Sequence, residues 1–379
     1  MRVAIVGAGP AGLYLAYLIK RRDQRADVRV FEQNTPNATF GFGVVFSDRA
    51  LEFLNADDPE TFAAIAPQLE SWRDITLVHR GESIVIDGVG FTALGRLSLL
   101  QLLQQRARSV GIEPVYRHAV QSIDEIADAD LIVGADGVNS LVRRAYEREF
   151  GTAVSHLRNR FAWFGTTKPF ATLTQTFRLT EHGAFNAHHY RYAPGMSTFI
   201  VEVDEASFLR RGFDTMPADE ARLLCEEVFA DALDGHKLIS NNSIWRQFPK
   251  IRNGRWSVGN CVLLGDALHT AHFSIGSGTR LAMEDAIALD KALAGNADIA
   301  SALKAYEAAR RPIVEKLIKA ADASADWYEN FASHLALAPV DLAMSYIRRS
   351  GRVDLDRLQQ VSPRFVEHYK RARKVAAQG

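Results

Sequence analysis

The stretch Met1-Arg-Val-Ala-Ile-Val-Gly7-Ala-Gly9-Pro-Ala11-Gly12 decides the fold. Its apolar start reads as a buried strand, and the glycines that follow read as a tight turn opening a helix. In such a turn Gly7 permits the reversal, Gly9 lets the backbone approach a pyrophosphate, and Gly12 lets helix and strand pack closely. The helix N-terminus behind the turn then offers free N–H groups to the phosphates. A second apolar strand, Val28-Arg-Val-Phe-Glu32, ends twenty residues beyond Gly12 on an acidic side chain placed to accept a ribose hydroxyl. Three glycines alone also suit an ordinary tight β–α turn. Strand, turn, helix and acidic strand end in this order point to a dinucleotide site.

Around this motif the 379 residues are enough for a large core and two or three structural units interleaved along the chain. Hydrophobic content of 47% and charged content of 24% are those of a soluble globular protein. With 45 basic and 45 acidic residues there is no global field favouring nucleic acid or an anionic membrane, so any anion recognition must be local. The two cysteines, Cys225 and Cys261, are too few and too far apart for a disulfide framework or a zinc site, and read as buried thiols in a reducing cytoplasm. The first strand begins at residue 2 and no apolar run reaches the roughly 18 residues of a membrane span, so neither signal peptide nor anchor is expected.

The pattern runs from α/β through a β-rich centre to a helical end. Thr39-Phe-Gly-Phe-Gly-Val-Val-Phe-Ser47 is an apolar double-glycine stretch, read as close backbone approach to something flat or as a bulged edge strand, before a helix capped by Ser47. Ile75 to His79 and Ser83 to Asp87 form a hairpin across Arg80-Gly81-Glu82, and a helix follows from Arg96 to Arg106. Leu131-Ile-Val-Gly134 is a buried strand, and 160–203 holds several more, with a turn at Ala193-Pro194-Gly195. A helix near 217–232 interrupts before the parallel-type strand Cys261-Val-Leu-Leu264, and beyond Gly278 the chain reads as helix nearly to its end.

Two further motifs turn a dinucleotide site into a flavin site. One is Gly134-Ala-Asp136-Gly137-Val-Asn-Ser140-Leu-Val-Arg143, an acidic turn directly after a strand. The other is Leu264-Gly265-Asp266-Ala-Leu-His269, followed by Ser274-Ile-Gly276-Ser277-Gly278-Thr279 at the start of a long helix. Reduced flavin carries negative charge near its pyrimidine edge, which the N–H groups of a helix N-terminus stabilise by roughly 0.3–2 kcal/mol. Asp266 suits ribityl hydroxyls, the glycines leave room for the ring, and His269 is placed to fix the turn.

With these three motifs in order, the chain resembles the single-component FAD aromatic hydroxylases, the p-hydroxybenzoate hydroxylase-like monooxygenases. The strings His272-Phe273-Ser-Ile-Gly-Ser-Gly-Thr279, Phe40-Gly-Phe-Gly-Val-Val-Phe46 and Phe161-Ala-Trp-Phe-Gly-Thr166 are similar to a narrower branch containing salicylyl-CoA 5-hydroxylases, 2-aminobenzoyl-CoA monooxygenases and a violacein-pathway hydroxylase. The chain departs from the common pattern at Phe273, Ser277 and Arg280, where most members have proline, glutamine and asparagine. The resemblance implies an α/β (α+β overall) architecture: a Rossmann-like FAD domain interleaved with a β-sheet substrate domain, and C-terminal helices. The expected division assigns 1–74, 95–159 and 251–300 to FAD binding, 75–94 and 160–250 to the substrate domain, and 301–379 to a helical region. Non-covalent FAD is expected at Gly7, Gly9, Ala11, Gly12, Glu32, Gln33, Val45, Arg96, Asp136, Gly137, Asp266, Gly276, Ser277, Gly278 and Thr279.

The chemistry so implied is hydride transfer from NADH or NADPH to FAD, capture of O2 as a flavin hydroperoxide, and attack of the distal oxygen on an electron-rich ring. Candidate catalytic groups are His272, His189 and Tyr190, with His188 beside them, and Phe46, Phe273 and Arg280 are candidate substrate contacts. The expected substrate is a small aromatic molecule carried as a CoA thioester, with an indole-derived metabolite or a free aromatic acid as alternatives. A CoA tail would find phosphate partners among Arg210-Arg211, Arg348-Arg349 with Arg352, Lys370-Arg371 with Arg373-Lys374, or Arg252. No nucleic acid or membrane partner is expected, and the protein is expected to be a monomer or homodimer. A halogenase would show a second tryptophan and an isoleucine where Trp245-Arg-Gln-Phe-Pro249-Lys250 stands, and a non-catalytic flavin-binding protein would not oxidise NAD(P)H steadily.

Overall fold

The computed structural model describes residues 1–47 and 51–376. Its first layer grows from the opening motif. Strand Arg2–Val6 pairs in parallel with Asp27–Glu32 on one side and Leu131–Gly134 on the other, and Cys261–Leu263 pairs in parallel beyond the latter. With Val115–Tyr116 and Ser257–Val258 at the edges this makes a six-stranded sheet. Helix Pro10–Arg22 packs on it through a continuous buried run from Ala11 to Ile19. Every residue of the two inner strands Leu131–Gly134 and Cys261–Leu263 is buried, as strands covered on both faces require.

The second layer is a seven-stranded sheet. In spatial order its strands are Leu238–Ser240, Arg160–Thr166, Met196–Val203, Gly183–Ala193, Leu173–Thr180, Ile75–His79 and Glu82–Ile86. The last two are the expected hairpin, closed by Arg80 and Gly81, both at positive φ, as a right-twisted two-residue turn requires. Although 75–86 precedes most of the sheet by some ninety residues, Ile75–His79 docks in parallel on Leu173–Thr180.

The two faces of this sheet carry different cores. On strand Gly183–Ala193, Phe185 and Ala187 pack with Phe199, Phe208, Leu224 and Cys225 beneath the helices Glu205–Arg211 and Ala218–Val228. Ala184 and Tyr190 face the other way, toward Tyr328, Phe331 and the C-terminal helix Pro339–Arg348. Helix Gly278–Gly295 packs within the first layer, and the 31-residue helix Ile299–Glu329 runs from that layer to this second face. Among the described residues no helix is long and apolar enough to cross a membrane.

A three-stranded sheet, Gly43–Ser47, Phe91–Gly95 and Glu70–Trp72, joins the layers. The double-glycine stretch does lie against flat groups, but they belong to the protein. A Cβ on Gly41 would sit 3.0 Å from the Trp163 indole, and one on Gly43 would sit 2.6 Å from Tyr192 Cβ. Ser47 ends the strand; the helix start expected directly after it falls on 48–50, outside the described residues, and the next helix described starts at Glu52.

Candidate active site

Three turns meet where the layers join. At the first, Gly7 adopts φ +101 and a Cβ there would lie 2.3 Å from the Ala135 carbonyl oxygen, while a Cβ on Gly12 would lie 2.0 Å from Gly7 O. These two positions therefore exclude any side chain. Around Gly9 the space is open, and no side chain caps the helix that starts at Pro10. Glu32 reaches back so that its Oε2 accepts the Ala8 N–H at 3.0 Å, while Oε1 accepts from the Asn34 backbone and side chain, both at 2.8 Å. A carboxylate with three such bonds still has a lone pair for a hydroxyl. Gln33 beside it is exposed.

At the second turn Asp136 Oδ2 accepts the Leu141 N–H at 2.6 Å, and its Oδ1 is buried without a partner. Burial pushes this carboxyl up, against the hydrogen bonds from Ser140 and Leu141. Gly137 follows at positive φ with nothing near its Cβ direction. Arg143, quoted in the motif but given no role from sequence, ties this turn to the third: it donates to Val138 O at 2.5 Å and to Ala267 O at 2.9 Å.

At the third turn Gly265 and Asp266 are held from below. Asp285, fully buried on helix Gly278–Gly295, accepts from Gly265 N at 3.2 Å, His269 Nε2 at 2.9 Å and Arg310 Nε at 2.9 Å. Burial pushes this carboxyl up, but His269 and Arg310 outweigh it and hold it below the usual range. His269 thus fixes the turn as expected, through a residue sixteen positions away. Asp266 itself is open to solvent yet surrounded by protein, the situation of a group on the floor of a cleft, and desolvation raises its pKa against the pull of Arg96 and His269. Arg96, first residue of helix Arg96–Ser109, is half-buried with Asp266 and Tyr190 as its charged and polar neighbours.

Ala11 and Ala282 both flank Gly265, which brings the first turns of helices Pro10–Arg22 and Gly278–Gly295 to the same place. The second of these helices also lacks a side-chain cap: the Ser277 hydroxyl donates instead to Ile275 O, at 3.2 Å, leaving Gly278 and Thr279 to present their N–H groups. Gly276 lies against Val45, a Cβ there falling 3.2 Å from Val45 Cγ1. Two open helix N-termini, an orphaned buried carboxylate oxygen, a cleft-floor aspartate and a half-buried arginine suit an elongated ligand with phosphates at one end and a polar ring at the other.

Beyond that ring end lies an aromatic wall. Phe273 is half-buried, with Phe161 at 5.0 Å, Phe248 at 6.1 Å and His188 at 5.2 Å between ring centres. His272 is 4% exposed, bonds through Nδ1 to Ser274 Oγ at 2.8 Å, and is held well below the ordinary histidine pKa by burial and by the charges of His188, Arg349 and Lys250. Tyr190 donates its hydroxyl to Gly43 O at 3.0 Å, pinning the connecting sheet, and burial pushes its pKa up.

Two expected contacts lie elsewhere. His189 faces the opposite side of the sheet, between Phe170 at 3.9 Å and Phe199 at 4.9 Å, with Nε2 bonded to Thr176 Oγ1. It and Tyr190 are neighbours on one strand and cannot share a face; the histidine turned toward Phe273 is His188, as strict alternation from Tyr190 would have indicated. Phe46 is 1% exposed and belongs with Val44 to the core of the first layer, whereas Val45 turns toward the glycine loop. Arg280 is paired with Glu284 one turn along its own helix, at 2.7 Å. Of the candidate phosphate partners, Arg252 is held by both oxygens of Asp322, and Arg349 is spent on Ser274 O, Ser324 Oγ and Tyr346 O.

A Rossmann-like layer with a second acidic turn and a cleft-floor aspartate beneath a helix N-terminus defines a flavin-dinucleotide enzyme, and comparison with known proteins says which kind. Residues 100–321 match the family model for an FAD binding domain, and residues 5–38 match that for an NAD(P)-binding Rossmann-like domain. The chain is 42% identical over 361 residues to the salicyloyl-CoA 5-hydroxylase of Streptomyces sp, covering 92% of this chain and 70% of that one. It is 36% identical to the 3-hydroxy-4-methyl-anthranilyl (aryl-carrier protein) 5-monooxygenase of Streptosporangium sibiricum, covering 86% and 89%, and 33% identical to the protodeoxyviolaceinate monooxygenase of Chromobacterium violaceum, covering 92% and 94%. Among solved structures, the tetrameric form of 2-methyl-3-hydroxypyridine-5-carboxylic acid oxygenase shares the fold, with a TM-score of 0.70 at 18% identity over 95% of each chain. The chain belongs to the p-hydroxybenzoate hydroxylase-like FAD monooxygenases. It is a flavoprotein aromatic hydroxylase that uses FAD with NAD(P)H and O2.

Proposed function

We propose that the protein hydroxylates an aromatic ring presented as an acyl thioester, with salicylyl-CoA, hydroxylated para to its hydroxyl, as the first substrate to test. The observation that carries this is that the relatives at 42% and 36% identity are named for an aroyl-CoA and for an anthranilyl group on a carrier protein. In this reading Gly9, Ala11, Glu32 and Asp136 hold the nucleotide part of FAD, and Arg96, Asp266, Gly278 and Thr279 hold its ring end. The chemistry FAD supplies when bound is acceptance of hydride from NAD(P)H and insertion of one atom of O2 into the ring.

The chain's own residues set the conditions. The N-terminus of helix Gly278–Gly295 and the Arg96 guanidinium favour negative charge at the ring end. Phe161, Phe248 and Phe273 make the substrate side apolar and so keep water from the reacting ring. Binding energy from a carrier remote from the ring aligns the ring for attack, so removing the carrier lowers rate as well as affinity. The test is coupled NAD(P)H oxidation with product analysis, comparing salicylyl-CoA and 2-aminobenzoyl-CoA with free salicylate, free anthranilate and an indolic acid. Coupled turnover of a thioester is expected; efficient hydroxylation of a free acid or indole, with no response to either thioester, overturns the substrate reading.

A further inference from the structure

Behind Phe273 the second sheet carries three polar groups that the chemistry above leaves unused. Asn186 and His188 lie two residues apart on strand Gly183–Ala193, and Glu202 stands directly opposite Asn186 on Met196–Val203. Their exposures are 0%, 4% and 3%. Asn186 Oδ1, His188 Nε2 and Glu202 Oε2 are all buried without a hydrogen-bond partner. The other atoms of His188 and Glu202 are satisfied: Gln175 Nε2 lies 2.9 Å from His188 Nδ1, Tyr328 donates its hydroxyl to Gln175 Oε1 at 3.1 Å, and Asn159 donates to Glu202 Oε1 at 3.0 Å, while Asn186 Nδ2 reaches Thr176 O at 3.5 Å. Buried polar atoms without partners are rare, and three on adjoining positions of one sheet face mark a place built for a group that is not protein.

We propose that His188 and Glu202 form a subsite for the hydroxyl group next to the acyl carbon of the substrate ring, and that this subsite selects a hydroxyl over an amino group. The proposal rests on the aryl substrate reading above. His188 Nε2 and Glu202 Oε2 face each other at 3.5 Å, too far for a good mutual hydrogen bond. Gln175 Nε2 donates to Nδ1, so the neutral His188 ring carries its proton on Nε2; Glu202, kept neutral by burial and with Oε1 accepting from Asn159, carries its own on Oε2, and the pair offers two donors to one oxygen atom. A hydroxyl satisfies both at once. An aryl amine donates but accepts poorly, because its lone pair is drawn into the ring, so it leaves both donors unpaired.

The electrostatics agree with an uncharged ligand group. Burial pushes the Glu202 carboxyl up to about 8, with Asn159 opposing and Glu329 of the long helix adding to the rise, and burial with the charge of Arg349 lowers His188 to about 3. The half-buried Phe273, edge-on to the His188 ring, is the side chain that must swing aside for a substrate ring to reach them.

The test uses FAD-loaded protein and the ratio of kcat/KM for 2-hydroxybenzoyl-CoA to that for 2-aminobenzoyl-CoA. The wild type is expected to favour the hydroxyl at least about tenfold, and His188→Phe to bring the ratio close to one through loss with the hydroxyl substrate, with FAD content unchanged. Glu202→Leu, which removes the other donor, tests the same point independently should His188→Phe not fold, and it is expected to lower the ratio as well. A wild-type preference for the amine, or an unchanged ratio in the folded variants, overturns the proposal. If only free acids are turned over, the thioester reading has failed, and the same ratio taken with salicylate and anthranilate decides the subsite.

Discussion

Glu32 and Asp266 are carboxylates with opposite surroundings, and their difference is testable. Glu32 already holds the glycine turn through Ala8 and Asn34, whereas Asp266 stands on the cleft floor beside Arg96. Glu32→Ala removes one or two bonds to a ribose, each worth about 0.5–3 kcal/mol, so FAD affinity is expected to fall while turnover per bound FAD persists. Asp266→Ala is expected to lower both. Equal turnover per bound FAD in the two variants, measured with flavin content determined on each sample, contradicts the placement. At this scale the sequence was legible wherever backbone geometry forces a residue type: Gly7 and Gly12 have no room for a Cβ. It is less legible for side chains on strands, where alternation puts the neighbouring candidates His189 and Tyr190 on opposite faces.

Elements were readable where the signal is local. The hairpin is legible from alternating runs on either side of Arg80-Gly81-Glu82, although Glu82 pairs with His79 and leaves a two-residue turn, and the parallel strands follow from short, wholly apolar segments. What escaped was set by partners distant in sequence. The glycines at 41 and 43 are explained by Trp163 and Tyr192, more than a hundred residues away, and the Gly265-Asp266 turn by Asp285 and Arg310 on two helices that periodicity could only describe as amphipathic. Arg252 and Arg349 looked like free cations, yet Asp322 and the carbonyls of Ser274 and Tyr346 claim them. A cluster of charges in a sequence carries no record of which of its members fold inward.

Over the whole molecule, the second sheet places titratable groups in its interior, and this couples stability to pH. Glu202 has a folded pKa of about 8 against an ordinary 4.5, so its contribution is complete below about pH 4.5 and is lost as pH rises through 8. His188 and His189, lowered from 6.5 to about 3, act in the other direction: their contribution is complete above about pH 6.5 and is lost as pH falls toward 3. The unfolding temperature is therefore expected to fall on both sides of a maximum in the mildly acidic range. Glu202→Gln should flatten the alkaline side, by an amount on the order of a few kcal/mol at pH 8. Thermal unfolding of wild type and variant across pH checks this, and parallel curves would show that Glu202 is ionised at neutral pH. The central claim, that the join between the layers is an FAD site inserting oxygen into an aromatic acyl group, is tested most directly with isotopic oxygen. FAD-loaded protein, NAD(P)H and salicylyl-CoA under oxygen-18 gas should yield a dihydroxybenzoyl-CoA carrying one heavy oxygen atom, with its new hydroxyl para to the old; NAD(P)H consumption that yields only hydrogen peroxide and unchanged thioester would contradict the account.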